Sequence, residues 1–364
     1  MGGVAVAMTL RAQVRKQFGS GFTLNADLTC APGFHILFGA SGAGKTTLLD
    51  CIAGLSSPDE GNTTLGERTL FDADSGVAIP THLRQIGYVL QTQALFPHKT
   101  ARENIAFGIR DGDRSLVNAL SQQMGISDML DRKPAQLSAG QRQRVALART
   151  LVTEPQCVLM DEPLAALDAT TKTTIIEVLR QWNEQRQVPI LYVTHDRDEA
   201  YSLGERLIVM EEGKVTATGT PHEVLATPIR NTVAQLAGFE NLLRCEIVSG
   251  HVDQGTMSCR IAGTEVLLEA PLTQMQSKTC TLGIRAGDIL LAAERPTAIS
   301  ARNILQGRVE STEQRGVLVR LLLNVNGAKF EAHVTPGAQV ALNLSGGRSV
   351  WLVIKTYSCH LLET

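Results

Sequence analysis

Residues 38–50 of the chain read FGASGAGKTTLLD. Gly39, Ala40, Ser41, Gly42, Ala43, Gly44, Lys45 and Thr46 satisfy the spacing G-x-x-x-x-G-K-[ST], and Thr47 completes the run. The stretch follows the apolar run HILFG, which reads as a strand, and leads into a helix. Glycines let the main chain wrap a polyphosphate with its N–H groups turned inward, and the helix N-terminus adds partial positive charge. Lys45 would reach the β- and γ-phosphates, and the Thr46 hydroxyl would ligate Mg²⁺. A loop of this kind works only between a strand and a helix, which commits the first part of the chain to an α/β fold.

The complement lies in CVLMDEP. Asp161 ends an apolar strand, where it can hold the metal, and Glu162 beside it can polarise an attacking water. Two acids in isolation read equally well as a strand ending at the surface; with the glycine-rich loop present, the catalytic reading prevails. From about Thr9 to Ala237, β-rich runs such as HILFG, CVLMDE and PILYVTHD alternate with helical patterns, which predicts a largely parallel sheet with helices on its faces.

A length of 364 residues predicts two or three domains. The formal charge of −2 argues against a nucleic-acid partner, which needs a basic face. No stretch reaches the about eighteen apolar residues of a membrane span, and the seven scattered cysteines include no CxxC pair. After Phe239 the texture changes to short strand-like runs separated by Gly, Asn-Gly and Pro-Gly, as expected of a small barrel or sandwich. The expected division is 1–237, 238–296 and 297–364, with ERPTAIS as a joint between two β parts.

Between the two phosphate-site motifs lies LSAGQRQRVALAR, residues 137–149. With it the chain resembles the ATP-binding subunits of ABC transporters, and the match runs through the first two thirds of the sequence. The resemblance implies an α/β P-loop NTPase cassette with a helical subdomain, ATP and Mg²⁺ as ligands, and two cassettes dimerised head to tail. Gln91 resembles the Q-loop glutamine, a metal-site residue. Asp161 and Glu162 become the metal-holding and catalytic acids, Asp168 in AALD the D-loop residue, and His195 in VTHD the switch histidine. Phe18 would stack on adenine. Ser138, Gly140 and Gln141 match the signature LSGGQ, which faces the ATP held by the other subunit. Ala139 stands where the first glycine is usual; its Cβ costs little at negative φ and about 1 kcal/mol or more at positive φ.

The tail is similar to the Mop/TOBE-type domain of molybdate importers, an all-β, OB-like small barrel. The resemblance rests on SARNILQGRV and SVWLVIKTYS, and also on ENLLRCEIV and LGIRAGDILLAAERP. It implies an oxyanion site, for which Ser300, Arg302, Asn303 and Lys355 supply a hydroxyl, a guanidinium, an amide and an ammonium. The expected protein is the motor subunit of an importer of molybdate, with tungstate as a second candidate substrate. It would work as a homodimer, peripheral on the cytoplasmic face of the inner membrane, against a separate permease fed by a periplasmic or lipid-anchored binding protein. An importer ATPase for sulfate or another substrate, and a soluble ABC ATPase, are the alternatives. An oxyanion store or sensor would need only the tail.

Overall fold

Three runs are buried along their whole length: β3 at Gly33–Gly39, β8 at Cys157–Asp161 and β9 at Pro189–Val193. Runs apolar on both faces belong in the middle of a covered parallel sheet. In the computed structural model they pair in parallel, β3 with β9 and β9 with β8. The structure describes residues 8–19, 21–109, 114–226, 234, 238–273, 278–315 and 317–362.

The remaining strands of this sheet are β1 (Leu10–Gln17), β2 (Thr23–Cys30), β4 (Glu60–Leu65), β5 (Arg68–Asp72), β6 (Val77–Ala78), β7 (Ile86–Val89), β10 (Arg206–Glu211) and β11 (Lys214–Gly219). Their order among the described residues is β6-β5-β4-β1-β2-β11-β10-β3-β9-β8-β7. Half of the sheet therefore departs from the expected parallel arrangement. β1 pairs antiparallel with β2 and with β4. The cause is visible in β1, LRAQVRKQ, whose buried and exposed residues alternate through its first six positions. Such a strand has one apolar face, and it returns as a hairpin in which the Phe18 N–H donates to the Phe22 carbonyl at 2.9 Å.

The helices of this unit are α1 (Lys45–Ala53), α2 (Ala101–Ala106), α3 (Arg114–Gln123), α4 (Ala139–Leu151), α5 (Ala169–Arg186), α6 (Arg197–Leu203) and α7 (Pro221–Ala226). Leu48, Leu49 and Ile52 of α1 pack with Leu37, Leu159 and Leu191 of the central strands, so the phosphate-loop helix is anchored in the core. Arg84 closes its far end. The guanidinium is buried and donates to the carbonyls of Cys51 and Ile52, in the last turn of α1, and also to the Ile79 carbonyl in the loop after β6.

The chain divides into two compact units, Met1–Val224 and Leu225–Thr364, so the break falls inside α7 and earlier than residue 237. Among its described residues the second unit is built of strands, with a short helix at Pro336–Ala341 and a few helical turns. One sheet runs β14-β13-β12-β15-β21, over Leu267–Pro271, Thr256–Ile261, Asn241–His251, Thr279–Ile284 and His360–Leu362. The other runs β16-β20-β17-β18-β19, over Leu290–Ala292, Ser349–Ile354, Asn303–Arg315, Leu318–Val325 and Ala328–Val334. The expected joint at ERPTAIS does not separate two bodies. β16 precedes it yet pairs with β20, and β21 from the chain end pairs with β15. One core, with Leu268, Leu282 and Ile284 from one sheet and Leu321, Phe330 and Leu352 from the other, fills the space between the sheets.

Among the described residues no helix is long and apolar enough to cross a membrane.

Candidate active site

The glycine-rich loop leaves the C-terminal end of β3 and enters α1 at Gly44, whose φ of 97° is the left-handed conformation that glycine takes without strain. Gly39 is required by proximity, since a Cβ there would lie 2.3 Å from the Met210 carbonyl oxygen. The loop forms one wall of a cavity of about 520 Å³ lined by Phe18, Phe22, Gly39, Ser41, Gly42, Gly44, Lys45, Thr46, Thr47, Gln91, Asp161, Glu162 and His195. Side chains expected from five separate motifs therefore meet in one place. Ala40 and Ala43 belong to the loop but do not line the cavity: Ala43 packs into the core and Ala40 lends its carbonyl to Lys45.

Lys45 Nζ donates to the carbonyls of Gly39 and Ala40 at 2.8 and 2.9 Å. Burial lowers its pKa, and the charges of Glu162 and Asp161 work the other way. The Thr46 hydroxyl donates to Asp161 Oδ2 at 2.7 Å. Asp161 is only 3% exposed. Burial raises its carboxyl pKa and the Glu162 and Asp50 charges add to the rise, against the Thr46 hydrogen bond and the Lys45 charge. A buried carboxylate beside a hydroxyl, with acids around it, is a hard-oxygen site short of positive charge. These donors fit Mg²⁺.

Glu162 sits at φ 47°, a left-handed backbone uncommon for a residue with a Cβ, and its N–H is tied to the Val193 carbonyl at 3.0 Å. That conformation turns the side chain away from the strand direction and into the cavity. Its Oε2 accepts from Gln91 Nε2 at 3.3 Å, and its Oε1 lies 3.3 Å from His195 Nδ1. The acid, the glutamine and the histidine, from three loops, thus form one connected group.

On the other side Phe18 and Phe22 stand 5.9 Å apart, with the Lys16 ammonium 5.6 Å from the Phe18 ring. Phe22 is the lining residue that the sequence reading missed. Its position four residues after Phe18, across the β1–β2 turn, is the signal that would have found it.

Ser138, Gly140, Gln141 and Asp168 do not line this cavity. Ser138 caps α4: its Oγ accepts from Gln141 N–H, and Gln141 Oε1 accepts from Ser138 N–H at 2.8 Å. Ala139 is the first residue of α4 and is not among the positive-φ positions, so its methyl group is accommodated without strain. A Cβ on Gly140 would approach Leu167 Cδ2 to 3.1 Å and the Ala166 carbonyl oxygen to 3.2 Å, a tight fit. Asp168 caps α5, accepting from Thr171 N–H and from the Thr171 hydroxyl.

In the second unit, Ser300, Arg302 and Lys355 come together with Gln254, Thr256, Glu269, Thr356 and Tyr357 around a cavity of about 340 Å³. Asn303, the fourth expected ligand, does not line it. Its amide is buried and paired with both main-chain groups of Glu269, at 2.6 and 2.9 Å, so it is used in joining β17 to β14. The buried Thr256 hydroxyl has no protein partner among the described residues.

Residues 24–165 match the ABC transporter family and residues 299–361 match the TOBE domain. A solved dimeric structure of a bacterial ABC transporter cassette is 31% identical, with a TM-score of 0.52 over 59% of this chain and 99% of that one. Fold and site together define an ATP-binding cassette of the ABC type, an ATPase. Similarity extends well beyond the cassette. The molybdenum import ATP-binding protein ModC of Vibrio parahaemolyticus is 34% identical over 359 residues, covering 96% of this chain and 97% of its own. The protein of the same name from Paramagnetospirillum magneticum is 36% identical over 355 residues, 95% of this chain and 96% of its own. The molybdate/tungstate import ATP-binding protein WtpC of Pyrococcus abyssi is 37% identical over 328 residues, 88% of this chain and 90% of its own. The chain belongs to the family of molybdenum import ATP-binding proteins.

Proposed function

We propose that the chain is the ATP-hydrolysing motor of a molybdate or tungstate importer. The observation that carries the ATPase part is the convergence of Lys45, the Thr46–Asp161 pair, Gln91, Glu162 and His195 on one cavity. The adenine would lie against Phe18 and Phe22. Lys45 and the loop N–H groups would hold the phosphates. Thr46, Asp161 and Gln91 would hold Mg²⁺, which neutralises phosphate charge when bound. Glu162 accepts a proton from, and orients, the attacking water, while His195 and Gln91 hold its carboxylate in place. Ser138, at the N-terminus of α4 with Gly140 and Gln141, would address the ATP of a second copy in a head-to-tail dimer, with Asp168 beside that interface. Closing and opening of this homodimer would drive a separate permease at the cytoplasmic face of the inner membrane, supplied by a periplasmic or lipid-anchored binding protein. Nucleic acid is not among the proposed partners.

The names of relatives that share the tail as well as the cassette support molybdate or tungstate as the substrate. The second-unit cavity is the proposed oxyanion site, with Ser300, Arg302 and Lys355 as donors and Thr256 as a further hydroxyl; Asn303 would support it from behind. ATPase assays of the transporter reconstituted with its permease and binding protein, given molybdate, tungstate and sulfate in turn, test the reading. Stimulation by molybdate or tungstate and not by sulfate is expected. Stimulation by sulfate alone would assign the chain to another importer.

A further inference from the structure

His195 is 68% exposed at its side chain, and its hydrogen-bond partner is Glu162. Its placement must therefore come from the residues on either side, Thr194 and Asp196. Both lead to the same buried group. The Thr194 hydroxyl donates to Glu199 Oε2 at 2.8 Å and accepts from Asp196 N–H at 3.0 Å. Asp196 Oδ2 accepts from Lys172 Nζ at 2.9 Å, and Asp196 Oδ1 accepts from Glu199 N–H at 3.3 Å. Glu199, 4% exposed, also accepts from Lys172 Nζ and from the Tyr192 hydroxyl, each at 2.8 Å.

Lys172 belongs to α5, one turn after Asp168, whose carbonyl accepts the Lys172 N–H at 2.9 Å. The network thus ties the start of α5 to the loop that carries His195. A buried ion pair is a poor source of net stability, because desolvation offsets most of its attraction. A fixed geometry is what it does supply, provided all its donors and acceptors are satisfied, as the Glu199 oxygens are here.

We propose that Lys172, Glu199 and Thr194 are positioning residues for ATP hydrolysis: they lock the His195 loop to the Asp168 end of α5, so that these two parts of the site move as one. The inference rests on the proposed roles of His195 and Asp168. It makes the alignment of His195 depend on α5, the helix that Asp168 opens. Displacement at the Asp168 end would reach His195 through Lys172 rather than through the sheet.

The test uses the full-length chain and its Lys172→Met, Lys172→Arg, Thr194→Val and His195→Ala variants, singly and combined. Steady-state kcat, ATP affinity by fluorescent-nucleotide displacement, and melting temperature are measured for each. Lys172→Met and Thr194→Val should each lower kcat by about tenfold while leaving nucleotide affinity within about twofold, the pattern of lost alignment. Lys172→Arg should restore most of the rate, since a guanidinium can still bridge the two carboxylates. In the His195→Ala background, Lys172→Met and Thr194→Val should change the remaining rate by less than about twofold, because their effect passes through His195. A merely structural network would lower the melting temperature and leave kcat per folded molecule unchanged, whereas rate losses that multiply in the double variants would mean an effect that bypasses His195; either result overturns the proposal. Thr194→Val is nearly isosteric and keeps the Lys172–Glu199 pair, so it decides the matter if Lys172→Met fails to fold. Wild-type turnover by His195→Ala would remove the His195 reading itself and this inference with it. A slow His195→Ala beside fast Lys172→Met and Thr194→Val removes the inference alone.

Discussion

The Thr46 hydroxyl donates to Asp161 Oδ2 across 2.7 Å, joining the first turn of α1 to the end of β8. The two residues are 115 positions apart in the chain, and the sheet order brings them together because β3 and β8 are both neighbours of β9. The contact sets the spacing of the two oxygens proposed to hold Mg²⁺. It also concentrates negative charge in a buried place, which has a measurable cost.

Asp161→Asn should therefore raise the melting temperature of the nucleotide-free chain while abolishing Mg²⁺-dependent turnover. Burial holds the Asp161 carboxyl above its ordinary range, so the folded chain keeps a proton that the unfolded chain has already released. Wild-type stability should fall as pH rises from the ordinary aspartate range through the raised folded value. This falling component should be missing in the variant. Thermal melts across that acidic window check the sign; an Asn variant less stable than wild type at neutral pH would refute it.

Phe18→Ala and Phe22→Ala should each weaken ATP binding by about tenfold, taking base–aromatic stacking at roughly 1–3 kcal/mol per ring. The kcat at saturating ATP should change little, since the contact proposed for both rings is with the base and not with the reacting phosphate. Equilibrium titration with a fluorescent nucleotide separates the two outcomes. Unaltered affinity in both variants would place the base elsewhere.

Arg84→Met should destabilise the first unit by about 1–3 kcal/mol, because the buried Ile52 carbonyl loses its donor, the Ile79 carbonyl loses the Arg84 Nε bond, and the Cys51 carbonyl keeps only the Gly54 N–H. Gly54→Ala should act in the same direction from the other side. Gly54 has φ +82°, and an added Cβ would lie 2.6 Å from the guanidinium carbon. Urea unfolding measures both.

In the second unit, Arg302→Ala and Lys355→Ala should weaken molybdate binding in calorimetry without lowering the melting temperature. Asn303→Ala should lower the melting temperature, because its amide is bonded to the Glu269 main chain at both ends. Heat release undiminished in both charge variants would move the oxyanion site away from this cavity.

The nucleotide site was legible in the sequence because its chemistry is carried by contiguous motifs. Lys45, Glu162 and His195 each stand in a short pattern whose neighbours, a glycine run or a fully apolar strand, declare the setting. Residues that act across the chain were less visible. Phe22 looks like any core aromatic until the β1–β2 turn brings it beside Phe18. Asn303 reads as a ligand by residue type, and only pairing with Glu269 reveals that its amide is already used. Lys172 and Glu199, 27 positions apart, show no pattern as a pair, since a helix and a loop must fold against each other before the two charges meet. The antiparallel half of the sheet is faintly marked for another reason: the short alternation in β1 is a weaker signal than the fully apolar runs that follow it.

The central claim is that Glu162, held between Gln91 and His195, activates water against an ATP bound at Lys45. Steady-state hydrolysis and size-exclusion chromatography of Glu162→Gln in the presence of Mg²⁺ and ATP test it most directly. The amide keeps the size of the side chain but cannot accept the proton, so turnover should fall at least a hundredfold, the loss associated with a general base. Nucleotide affinity should hold, and an ATP-bound dimer should accumulate on the column. Hydrolysis at the wild-type rate, with no dimer, would contradict the account.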